Sequence, residues 1–183
     1  ILRMALRKRI QLSTAYKSLS KNINPLMLIQ IPNKRANDVI NPEDEIIEFL
    51  SKEGLNIQNG KVALWLSDDH RNKEEIELDD SPVDVLIFKE AIALGWDCPR
   101  ASILFLQREW NNERYEFNIQ TLGRIMRMPE QVHYDDKPEL NYGYVYTASD
   151  NFTIVEDLAK DYVSQQRLTI DHEIYNSRPK LFS

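Results

Sequence analysis

Five short apolar runs leave this chain few ways to fold. They are Leu26–Ile31, Val62–Leu66, Val83–Phe88, Ser102–Leu106 and Tyr142–Thr147. The first is closed by Pro32 and Asn33, and the last alternates aromatic and smaller residues. None approaches the ~20 residues needed to span a bilayer. Short runs that are apolar nearly throughout suit strands covered on both faces. Helical patterns lie between and around them. Leu2, Leu6, Ile10, Leu12, Tyr16 and Leu19 recur at roughly helical spacing, and Asn22–Pro25 ends that pattern. Asn41-Pro42-Glu43-Asp44-Glu45 is a helix start, with a capping Asn, a Pro suited to the first turn, and acids at the positive end of the dipole. Ile46, Ile47, Phe49 and Leu50 then face a core, and Gly54 can end the helix. Further helices are predicted over Glu113–Arg127, stopped by Pro129, and over Phe152–Leu168. Strands alternating with helices predict βαβ units and an α/β fold with a mainly parallel sheet. Ligands of such sheets sit at the carboxyl ends of the strands, so function is expected on that edge.

At 183 residues the chain suits one domain with flanking segments. We divide it into a leading basic helix (1–23), an α/β domain (24–148), and a C-terminal helix and tail (149–183) that opens a following region. The chain begins at Ile1 in mid-pattern, so we expect a piece of a longer protein. One cysteine, Cys98, excludes a disulfide framework and a cysteine-based zinc site. A reducing cytoplasm fits that usage, and Cys98 is expected to be a small core or cleft-wall residue. The histidines His70, His133 and His172 are too dispersed to suggest a metal site. Charge is uneven. Residues 1–21 carry +6 with no acid, leaving −12 on the remainder of a chain whose net charge is −6. The basic stretch is expected to be a solvated helix face. The acidic bulk argues against tight independent binding to nucleic acid, while allowing a few phosphate contacts.

Gly54–Lys61 resembles a phosphate loop only superficially. Five residues separate its glycines where four are required, and Val62 stands where Ser or Thr would hold magnesium. A helix cap and a turn explain it better. The informative segments are two. In the first, Gln120, Arg124 and Arg127 fall at i, i+4 and i+7, one helical face, with Gly123 beside them. Spacing leaves two readings open. The arginines are solvated, or their forked guanidinium groups serve phosphate oxygens. In the second, Gly95-Trp96-Asp97-Cys98-Pro99 follows the strand Val85–Phe88, setting a glycine, an acid and a stiff turn at that strand's carboxyl edge. Asp97 there is a capping residue, or an acceptor for hydroxyls or for an arginine.

Taken together, these segments resemble the second motor domain of superfamily-two helicases. Val85–Pro99 looks like that family's fifth motif, and Gln120-x-x-Gly123-Arg124-x-x-Arg127 looks like its sixth. The wording Leu86–Ala101 is similar to the restriction subunit of type III restriction–modification enzymes. Pro25–Asn33 resembles the fourth motif, and the resemblance covers about residues 24–148. It implies a RecA-like three-layer α/β/α sandwich. ATP and Mg2+ would be bound mainly by a preceding RecA-like domain of the same chain. Arg124 and Arg127 would act as arginine fingers, Gln120 and Gly123 would meet the nucleotide, and Gly95 and Asp97 would line the cleft. Lys89 stands where many relatives have Thr touching the nucleic-acid backbone, so it would contact a phosphate or be solvated. The implied partners are DNA, held weakly, and a modification methyltransferase subunit, with no membrane association. The segment carries no nuclease motif. A RecA-like module that binds a partner or nucleic acid without turnover is the competing expectation. A small-molecule phosphate-utilising enzyme is a third, disfavoured because no base or nucleophile is evident.

Overall fold

The computed structural model describes residues 1–32, 41–66, 69–89, 96–107, 123–125, 127–147 and, as backbone, 163–165. Its first helix, α1 (Leu2–Ser18), buries Ala5, Leu6, Leu12, Ala15 and Tyr16. Ile10, expected on that stripe, is 59% exposed, while Arg9 is buried in its place. The basic stretch is therefore not solvated throughout. Strand β1 (Leu26–Gln30) follows and is buried along its whole length. Helix α2 (Pro42–Lys52) begins as the sequence predicts, with the Asn41 side chain accepting from the Glu43 amide and Pro42 in the first turn. Gly54 takes φ +80° just after α2, and Gly60 takes φ +73° in the turn before the next strand. Both are left-handed conformations that glycine adopts freely, and the cap-and-turn reading of this segment holds.

The next strands are β2 (Val62–Trp65), β3 (His70–Arg71), β4 (Val85–Phe88), β5 (Ala101–Leu106), β6 (Gly143–Thr147) and β7 (Val163–Gln165). They form one sheet in the order β3-β2-β4-β1-β5-β6-β7. All pairings are parallel except β2 with β3. The α/β class with a mainly parallel sheet, expected from the apolar runs, is what the chain adopts. Two details differ. β3 is a short strand that none of the apolar runs announces. Val163–Gln165, expected within a helix, pairs with β6 instead, so the sheet takes in a strand from beyond residue 148.

Side chains alternate between the faces. Met27, Ile29, Leu64, Ile87, Ile103 and Phe105 pack with α1 and α2 on one face. Leu28, Ala63, Leu86 and Leu104 face Ile76, Trp96, Cys98 and Ile125 on the other. Layers on both faces make the three-layer arrangement of RecA-like domains. α2, between β1 and β2, packs on one face, and Trp96 and Cys98, between β4 and β5, pack on the other; the two crossovers run in opposite directions across the sheet and so share one hand. No helix among the described residues is long and apolar enough to cross a membrane.

Candidate functional site

The two arginines of the sixth-motif segment converge on one short stretch of chain. Arg124 lies in the helical residues 123–125. Its guanidinium donates to the Trp96 carbonyl and lies 5.8 Å from the centroid of the Trp96 ring. Arg127 pairs through its guanidinium with the Asp97 carboxylate. Residues far apart in sequence are thereby joined, and of the roles left open for Asp97 the contact seen is with an arginine. The means differ from expectation, however. Arg127 lies beyond the helical residues, so one helical stripe does not carry both arginines. Pro129 supplies the reason, because the residue before a proline is pushed towards extended backbone and a helix stops short of it.

The site also sits on a different edge of the sheet. Pro99 and Arg100 run straight into β5, and Arg100 donates to the carbonyls of Asn24 and Val83 at 2.7 and 3.0 Å. Both carbonyls lie just ahead of parallel strands, at their amino ends. Ile125 packs on one face of the sheet and Met128 against the other. Ile125 also abuts Gly143, the first residue of β6, where an added Cβ would come within 2.5 Å of the Ile125 carbonyl oxygen. The chain thus crosses the amino edge between Ile125 and Met128, and Arg127 stands on that crossing. The expectation that Asp97 marks the carboxyl edge of β4 is corrected. Among the described residues of that Gly-x-Asp-x-Pro segment, Asp97–Pro99 belong to the approach to β5.

The Arg127–Asp97 pair remains open to water, with side chains 50% and 56% exposed. The Arg124 guanidinium is held below its usual range, first by partial burial and then by the like charge of Arg127, with Asp97 offsetting part of this. Two cations and one carboxylate at an open edge, with Arg124 partly buried, form an anion-receptive cluster. Trp96, whose carbonyl and ring both meet Arg124, was given no role in the sequence reading. Its indole donates to Glu77 at 2.5 Å and its ring packs edge-on against Trp65 at 5.8 Å. Position between a glycine and an acid was the only sequence signal for it.

Gly123 is exposed, and an added Cβ there meets no described atom within 4 Å, so a ligand could approach its backbone. Gln120 and Gly95 lie outside the described residues. Of the described site residues, Lys89 alone lies at the expected carboxyl edge. It follows β4 directly and bonds Glu43 of α2 at 3.1 Å, both side chains being mostly buried, so it is not a solvated lysine. Cys98 is buried, and burial raises its thiol pKa to about 11. It is therefore a core thiol and not a thiolate nucleophile at neutral pH. Among the described residues, no three His, Cys, Asp or Glu side chains gather as a metal site. Comparison with protein-family models, with curated proteins and with solved structures gives no match.

Proposed function

We propose that this chain is the second motor domain of an ATP-dependent DNA translocase or helicase, of the kind found in the restriction subunit of type III enzymes. The observation that carries the reading is the convergence of Arg124 and Arg127 on Trp96 and Asp97 at an open sheet edge. Two guanidinium groups, one partly buried and one open to water, suit the oxygens of a triphosphate. Arg127 would meet charge that develops on the phosphate being cleaved, and Arg124 would be aimed by Trp96. Asp97 would hold Arg127 in place until a phosphate competes for it. A phosphate loop and acidic magnesium ligands would come from a preceding RecA-like domain, since Gly54–Lys61 is a cap and turn. ATP with Mg2+ supplies the free energy of each closing and opening of that cleft. DNA contacts would be few and weak, consistent with the acidic bulk of the chain, and Lys89 is the candidate among them. A methyltransferase subunit is the partner this reading implies, in a reducing cytoplasm.

The isolated 183-residue chain is expected to have negligible ATPase activity. In the longer protein, Arg127→Ala should lower kcat at least ~100-fold with folding intact. A kcat close to that of the parent, measured in steady-state assays with DNA present, removes the finger role.

A further inference from the structure

The amino edge carries a second feature that the arginine reading does not use. A cavity of about 290 Å3 lies between the end of α1 and the approaches to β2 and β4. Lys17, Lys21, Lys61, Ser13 and Ser81 line it, with Asp80 as an opposing acid. We propose that this cavity binds a phosphate-type anion.

The cavity wall is fixed by a buried network. Arg9 pairs with Asp84, donates to the Asn24 side-chain oxygen and reaches the Pro25 carbonyl at 3.0 Å. Asn24 in turn donates to Asp84 and to the Ser81 carbonyl, both at 2.9 Å. Arg9 thus neutralises Asp84, and three lysines are left around a single lining acid. Lys21 also reaches Glu130 at 2.8 Å, and Lys61 lies 3.8 Å from Asp84. With Glu130 counted against Lys21, the cavity still carries an excess of one positive charge on a chain of net −6. Capping the negative end of α1 does not require these lysines, because the amides of Leu19, Ser20 and Lys21 already take up the carbonyls of Ala15, Tyr16 and Lys17.

Lysine ammonium groups bind phosphate as point charges without demanding bidentate geometry. The volume lies just below the roughly 300–1,000 Å3 typical of drug-sized ligands, which suits a phosphoryl group with little attached. Two sources share that chemistry, a phosphodiester of the DNA backbone and the phosphate of a free nucleotide. This assignment does not depend on the role of Arg124 or Arg127.

The test uses the 183-residue chain and pyrophosphate, titrated at low salt by calorimetry and phosphorus NMR. Saturable binding is expected. Lys17→Glu, at an exposed position, should weaken it about tenfold, and Lys17→Glu with Lys61→Gln should weaken it further. A parent chain that does not bind pyrophosphate, or binding that survives Lys17→Glu unchanged, overturns the proposal. Titration of a short DNA duplex then separates the sources. A backbone phosphate is indicated if duplex binding weakens in the same variants and loses about one unit of salt slope. A free phosphate is indicated if only pyrophosphate binding falls.

Discussion

Arg127 and Asp97 carry opposite charges and lie in contact, yet each keeps about half its side chain in water. Exposed ion pairs of this kind contribute about 0–1 kcal/mol. Arg127→Ala in the isolated chain should therefore shift the urea unfolding free energy by less than about 1 kcal/mol. Arg100 is the contrasting case. It is 1% exposed and donates to the carbonyls of Ile76, Asn24 and Val83. Arg100→Met would leave those buried acceptors without their charged donor, so a loss above about 3 kcal/mol is expected in the same titration. Equal effects of the two substitutions would contradict this division between a surface arginine and a structural one. Neither buried arginine was legible beforehand. A charged side chain reads as surface, and only its partners show otherwise. For Arg9 the decisive partner, Asp84, is 75 positions away.

Among the elements, the parallel strands were readable because each apolar run is short and bounded, and α2 because its cap is written in Asn41-Pro42. β7 was not readable. Val163 falls at helical spacing behind Phe152, Val155, Leu158 and Ala159, and pairing with β6 overrides that local pattern. The edge on which the arginines sit was misread for a related reason. Sequence gives the order of turn and strand, but not that the turn at Asp97 has already reached the far end of the sheet. β6 fixes the arginine-bearing crossing through Gly143, which leaves no room for a Cβ against the Ile125 carbonyl. Gly143→Ala should push that crossing outward. On the proposed reading, in a protein that also carries the preceding RecA-like domain, it should lower ATP turnover while leaving the far-UV circular dichroism of the chain nearly unchanged. Unaltered turnover would show that the arginines are held independently of β6.

The whole molecule has an alkaline weakness. Burial raises Cys98 from 9.0 to about 11, and Tyr144 from 10.0 to about 12. Tyr16 rises from 10.0 to about 12 through burial and, after it, the charge of Glu130. All three are acids whose folded pKa lies above the unfolded value. Between those values the folded chain holds more protons than the unfolded chain, so stability falls as pH rises. The Tm should be flat near pH 8 and should decline progressively from about pH 9 to 12. A Tm that holds constant to pH 11 would be inconsistent with these buried groups.

One consequence of the open Arg127–Asp97 contact concerns timing. A tether this weak, bathed in solvent, sets almost no threshold for letting go. On the proposed reading, an incoming oxyanion could replace the carboxylate at little cost, and the exchange could be reversed without straining the scaffold that bears it. A deeply buried clasp such as Arg9 with Asp84 could not cycle in that way, because opening it would strand a charge in the protein interior.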